Sequence, residues 1–381
     1  MKKKSVKNLI LRAIIFIFVV VLIVCLPSVN IIQNNELNKI YSVFLGSKSK
    51  YQGIIEIWNI DSFEGGTKSK TELLNEISKQ FQKENKGLYF LVRNLSESEC
   101  VNLMSAGELP DLISCSFGVA ENFKDKVKAF SGSANSIEDS AKIAGQVAEN
   151  QMAVAWCKSS YYIISTKDRL EKSGIEKIEN IKLSNLVMSQ GYVVKNKNKE
   201  KTVYSVSMGH DKYLMPEKAV QTYNKQGVNL ISNYSFDAEK LKQTPYSAYC
   251  DFVAGKSTML VGTKRDVFRM QNREKNGKVS DVIYEQVLSF SDLIQFMMIS
   301  KNLTGDKLFY AEKFIEFLTS KKAQDVISKS GLFSVLKNQK IDDDLGVMQN
   351  ITPQNFSIYE TNNIFIEKFE ISKLQKFDIS F

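Results

Sequence analysis

Arg265 and Arg269 stand one helical turn apart, and Lys264 precedes them. A guanidinium can make paired hydrogen bonds to a carboxylate or to vicinal hydroxyls, and two in register can share the task. The same residues also suit the salt-bridged start of a surface helix. Three carboxylates are the other candidates. Asp61 and Glu64 lie in a turn-rich loop, and Asp292 lies in an apolar run where an isolated acid needs a partner. Either loop acid paired with Asp292 would make a glycosidase-type couple, provided the two stood about 5–10 Å apart. No catalytic signature accompanies them. Gly65-Gly66 ahead of a helix can bring backbone N–H groups near an anion, but GxGxxG and Walker spacings are missing. The chain has one histidine, His210, which excludes HExxH zinc chemistry and any mechanism that needs two imidazoles. Besides Cys25 there are Cys100, Cys115, Cys157 and Cys250, with no CxxC spacing. Buried free thiols are the simpler reading, with disulfides as the alternative.

The elements that must position these groups follow from the hydrophobic pattern. Residues 53–58 alternate and form a first strand, and residues 59–67 form a loop. Leu73, Leu74, Ile77 and Phe81 then recur at helical spacing, and Gly87 ends that helix. A strand over 88–92, a helix over 97–106 and a short strand at Leu112-Ile113 follow. This alternation predicts an α/β fold around a mostly parallel sheet with helices on both faces. Residues 137–151 read as helix, and 152–156 and 161–165 as strands. Residues 167–172 read as a helical stub. Residues 288–299 form an apolar return strand carrying Ser291 and Asp292, and 309–318 and 320–328 are helices ended by Gly331.

The whole chain has 381 residues, 43% of them apolar and 24% charged, which fits a globular protein of two domains and excludes a multi-span membrane protein. The net charge is +9, but Lys2, Lys3, Lys4, Lys7 and Arg12 supply five of the 51 basic residues. The remaining 46 face 42 acids, an excess of four, so the basic balance is largely a membrane-orientation signal and implies no nucleic acid. Residues 13–26 are 14 consecutive apolar residues, closed by Pro27. As a helix they would reach roughly 21 Å, short of a ~30 Å hydrocarbon core. Leu9, Ile10, Leu11 and a snorkelling Arg12 bring the segment close to spanning. An uncleaved signal anchor, a degenerate lipoprotein signal at Cys25 and a cleaved signal peptide are the three readings, and all place the body outside the cytoplasmic membrane.

Four stretches resemble the extracellular solute-binding proteins of ABC importers, family 1, the sugar-binding-lipoprotein branch. They are Ile54-Ile55-Glu56-Ile57-Trp58 with its following helix, the turn Ser105-Ala106-Gly107-Glu108-Leu109-Pro110-Asp111-Leu112-Ile113, the turn Phe252-Val253-Ala254-Gly255-Lys256 running on to Met259 and Gly262, and the helix pair over 311–324. Residues 161–174 also look like that family's lobe-crossing strand and helix.

The resemblance implies a periplasmic-binding-protein-like fold: two α/β lobes joined by a hinge, preceded by an N-terminal membrane segment. Residues 1–29 would be the signal or anchor and 30–50 a stalk. Residues 51–165 with 289–340 would form the first lobe and 166–288 the second, with 341–381 unassigned. A small polar solute, a carbohydrate or a relative of one, would be held between the lobes and passed to an ABC permease. The binder would be monomeric and membrane-tethered, with no cofactor or metal and no catalysis.

In such folds strand ends and the loops after them face the cleft. Trp58 could then stack on a sugar ring while Asp61 and Glu64 accept hydroxyl hydrogen bonds; alternatively the indole is core and the acids are solvated. Ser116 follows the third strand, where small residues permit close approach or simply turn the chain. Trp156 precedes the crossing strand and Tyr161 lies on it. Lys264 and Arg265 occupy the place where the family often puts an aromatic contact. Asp292 serves either ligand or hinge. The same fold could instead report ligand to a membrane signalling partner. A scaffold whose cleft is filled by its own side chains, and an extracytoplasmic glycosidase, are the other readings.

Overall fold

The computed structural model describes residues 48–61, 63, 64, 66–172, 206–209, 216, 219, 243–287, 292–337 and 358. The apolar run at 13–26, the stalk to residue 47, His210, Gly65, Ser291 and, apart from Ile358, residues 341–381 lie outside them. Among the described residues no helix is long and apolar enough to cross a membrane.

The first sheet starts with β1 (Lys48–Ile60), which begins inside the expected stalk. Helix α1 (Lys70–Glu84) follows and buries Leu73, Leu74, Ile77 and Phe81, the stripe its spacing predicts. Strand β2 (Lys86–Leu95) leads to α2 (Glu97–Ser105). A reciprocal cap opens α2: Glu99 N–H donates to Ser96 Oγ at 3.2 Å, and Ser96 N–H donates to Glu99 Oε2 at 2.7 Å. Strand β3 (Leu112–Ser116) is buried throughout and runs parallel to β1, with Trp58 opposite Ile113 and Asn59 opposite Ser114.

The rest of this sheet comes from farther along the chain. Strand β4 (Val127–Lys128), α3 (Asp139–Ala144), the ribbon β5 (Gln146–Val147) with β6 (Asn150–Gln151), and β7 (Val154–Lys158) follow in order. Residues 137–151 are therefore not one helix. Gly145 ends α3 because its carbonyl turns to accept Met152 N–H and Ala153 N–H, both at 3.0 Å. A Cβ on Gly145 would stand 2.0 Å from Ala153 O.

The second sheet contains β8 (Tyr161–Thr166), β9 (Val206–Met208), β10 (Met259–Thr263) and β11 (Val282–Gln286), in the order β11-β8-β10-β9. The stub α4 (Lys167–Lys172) follows β8. Helices α5 (Pro245–Val253) and α6 (Lys264–Lys275) flank β10, and Tyr162, Ile164, Ala248, Phe252, Leu260, Val267 and Met270 form a common core.

The chain returns in β12 (Ile294–Ser300), giving the first sheet the order β2-β1-β3-β12-β4, with β7 also on β12. Strand β12 is antiparallel to β3, β4 and β7, and β8 is antiparallel to β10 and β11. Both sheets are thus mixed rather than mostly parallel, because strands arriving from the other sheet enter against the local direction. Helices α7 (Gly305–Leu318) and α8 (Lys321–Lys329) finish the described fold, and Gly331, at φ +90°, turns the chain after α8.

Among the described residues, three stretches lie side by side next to the sheets. Ser159-Ser160 joins β7 to β8. Val287, at the end of β11, and Asp292-Leu293, ahead of β12, lie beside it, with Val287 N–H donating to Tyr161 O at 2.9 Å and Ser159 N–H to Leu293 O at 2.8 Å. The third follows α8: Phe333 exchanges backbone hydrogen bonds with Lys158 at 2.9 and 3.1 Å, while its ring enters the core of the second sheet.

Candidate functional site

The C-terminal end of β1, the middles of β3 and β7 and the start of β12 meet in a buried polar knot. Ser114 Oγ donates to Asn59 Oδ1 at 2.9 Å and accepts from Trp156 Nε1 at 3.2 Å and Gln295 Nε2 at 3.0 Å. One hydroxyl thus uses its donor and both lone pairs, and ties four strands at one level. Gln295 also donates to Ile60 O, at 3.1 Å. Trp156 is 0% exposed and Trp58 1%, with the Trp58 indole N–H donating to Glu56 at 2.9 Å. Both tryptophans therefore stand in the packed interior. Ser116, at the end of β3, is also buried and donates to Phe117 O at 3.4 Å.

The loop between β1 and α1 folds around Lys70. Its ammonium donates to Phe63 O at 2.7 Å, stands 3.2 Å from Asp61 Oδ1 and lies 3.4 Å from the centre of the Phe63 ring. Burial pushes the Lys70 pKa down, and the Asp61 carboxylate opposes that shift. Lys70 thereby fixes the loop that presents Glu64.

Glu64 reaches α6. Its two oxygens accept from Arg269 Nη1 at 3.0 Å and Nη2 at 3.4 Å, and Arg265 Nη1 stands 3.8 Å away. Arg269 is held from behind by Asp266, whose Oδ1 accepts from Nη1 at 2.9 Å. The other Asp266 oxygen accepts Thr263 N–H at 3.0 Å, at the start of the helix. Burial raises the Asp266 pKa to about 6, and the Glu64 charge adds to that, against the Thr263 hydrogen bond and Arg269. The Tyr249 and Tyr246 rings flank the Arg269 guanidinium at 4.9 and 5.4 Å.

Other charged groups lie along the crossings. Tyr161 OH donates to Asp292 Oδ1 at 2.8 Å, linking the outgoing crossing to the returning one. Lys264 is 1% exposed and its ammonium sits 3.9 Å from the centre of the Phe333 ring, while its N–H donates to Ser160 O at 3.2 Å. Lys158 is buried against Glu138. Cys100, Cys115 and Cys157 are buried free thiols, and burial pushes all three pKa values up, that of Cys100 to about 11. Cys250 is also free, but exposed.

The structure thus joins Glu64 to Arg265 and Asp292 to Tyr161, and gives each of the three acids a different partner. Arg269 joins Arg265 at Glu64, as its spacing one turn later suggested, whereas Lys70 and Asp266 were absent from the sequence-derived candidates. Lys70 was legible in principle: it continues the stripe of Leu73, Leu74, Ile77 and Phe81 back by one turn, so its head had to face inward. Asp266 stands three residues after Thr263, which is capping-box spacing.

No protein-family model matches this sequence, and no curated protein matches it significantly. Solved structures do. The ABC substrate-binding protein from Listeria monocytogenes in complex with cycloalternan aligns at TM-score 0.51 and 14% identity, over 80% of this chain and 84% of that one. Maltose-bound MalE3 of T. maritima aligns at 0.52 and 13%, over 74% and 82%. Iron-bound HitA from Pseudomonas aeruginosa aligns at 0.52 and 10%, over 84% and 99%. The fold is that of the solute-binding proteins of ABC importers. At these identities the likeness is one of fold, and the neighbours' different ligands leave the solute to be argued from the site.

Proposed function

We propose that the chain is a membrane-tethered, extracytoplasmic solute-binding protein that holds a carbohydrate or related polar solute between two α/β lobes for an ABC importer, without chemical turnover. The observation that carries this reading is the convergence of elements from both sheets beside the crossings. The loop after β1 meets the start of the helix after β10, through Glu64 and Arg269 at 3.0 Å. In open α/β sheets ligands sit outside the carboxyl ends of the strands, and the paired stretches beside the sheets suit a hinge that closes on them. Carbohydrate-bound neighbours support the solute class, and the basic N-terminus before an apolar run supports the tether.

The scaffold alternative draws on one observation: Glu64, Lys264 and Arg269 already have partners within the protein. A thermal-shift screen of the full-length protein in detergent separates the two. A ligand that binds only the folded state raises the melting temperature saturably. Binding predicts such a rise with one class among mono- and oligosaccharides, sugar acids, amino acids, peptides and polyamines. No rise with any class moves the assignment to a scaffold.

A further inference from the structure

The ion cluster beside the sheets has two guanidiniums and two carboxylates, Asp266 from the same helix as the arginines and Glu64 from the loop after β1. Two guanidiniums, Arg265 and Arg269, converge on the single Glu64 carboxylate, and Arg269 addresses both of its oxygens, at 3.0 and 3.4 Å. This two-pronged approach is the geometry by which a guanidinium recognises a free carboxylate. The arginine is pre-organised from two other sides. Asp266, pinned by Thr263 N–H, holds it from its own helix, and Tyr249 and Tyr246 on α5 flank its face. Glu64 comes from the loop after β1 and is followed by Gly65 and Gly66. It retains partial exposure, 22% of its side chain. Beside the fork stands an aromatic surface: Tyr246 is 58% exposed and stacks on Tyr249 with ring centres 6.4 Å apart and planes inclined by 25°. A water-exposed ring next to a fixed guanidinium offers an apolar face and a carboxylate receptor within one ligand's length.

We infer that the solute is an acidic carbohydrate. Its carboxylate replaces that of Glu64 between Arg265 and Arg269, and its ring lies against Tyr246. This rests on the solute-binding reading and names the ligand class for the same site. Glu64 acts as an internal surrogate that occupies the fork until ligand arrives. Displacement by an acid exchanges one carboxylate for another, whereas a neutral sugar offers the fork only uncharged hydroxyl acceptors, which bind a guanidinium more weakly.

Calorimetric titration of the full-length protein in detergent tests this with glucuronate and galacturonate against their neutral counterparts, glucose and galactose. Sodium sulfate serves as a control for unspecific anion binding. The expected result is uronate binding at least about tenfold tighter than the matched neutral sugar, the scale of one hydrogen-bonded charge. Arg269→Gln should abolish that preference and Tyr246→Ala should weaken uronate binding. Glu64→Gln should tighten it, because the competing charge is gone. Arg265→Gln supplies a second fork variant should Arg269→Gln melt early, since Arg265 touches only the edge of the ion pair. Neutral sugars binding as tightly as uronates, with the preference unmoved in the arginine variants, would overturn the inference and leave solute binding standing. Sulfate matching the uronates would overturn it too, since the fork would then be selecting charge alone. Failure of all four sugars overturns the inference and counts against the carbohydrate reading as well.

Discussion

Asp266 is nearly fully buried, and burial raises its pKa to about 6. An acid whose folded pKa lies above its unfolded value of about 3.9 holds its proton more tightly when folded. Its contribution to stability is therefore complete below about pH 4 and is lost as pH rises to about 6, on the order of 3 kcal/mol at most. The acid nevertheless stays at this position because its charged form accepts Thr263 N–H and holds Arg269. Asp266→Asn should flatten the decline in urea-denaturation stability between about pH 4 and about pH 6. An unchanged slope would show that other groups set it. Lys70 is the complementary case, a base whose pKa burial lowers, kept by a carbonyl, a carboxylate and a ring within one loop turn. Its place on the α1 stripe was readable. The partner of Arg269 was not, because Glu64 lies 205 positions away and no local pattern encodes a contact of that range.

Among the elements, those with a clear period could be read directly. Helix α1, α7 and α8 follow the 3.6-residue stripe, and β1 and β3 stand where alternating or continuous apolar residues put them. The stretch 137–151 misled because a short helix and a two-stranded ribbon share its composition. What separates them is the turn of Gly145 toward Ala153, a tertiary contact. Strand direction was equally hidden: the apolar run 288–299 predicts a strand, found at Ile294–Ser300, but not that it enters the sheet antiparallel. The β1–α1 loop shows how closely the elements are fitted. Thr67 N–H donates to Ser330 O at 2.5 Å, and a Cβ on Gly66 would lie 1.7 Å from that same oxygen. Gly66→Ala must push the loop away from the end of α8. It should cost about 1–3 kcal/mol in chemical denaturation, the scale of an overpacked contact. A neutral substitution would mean that the loop has room the structure does not show.

At the scale of the whole molecule, the described residues form two mixed sheets with Phe333 shared between them: its backbone bonds β7 while its ring joins the core of the second sheet. In the proposed binder, the strand ends and the loops around Glu64 and Arg269 would approach or part about these paired stretches. The order of the four resembling stretches made this architecture legible. The burial of both tryptophans was not, since an aromatic at a strand end serves a core or a ligand with the same sequence. Equilibrium dialysis of the full-length protein against a panel of neutral and acidic carbohydrates, with chromatography of both chambers, tests the account most directly. It predicts one carbohydrate retained per chain, released by dilution and chemically unchanged. Retention of none, or appearance of a cleaved or converted product, would contradict it.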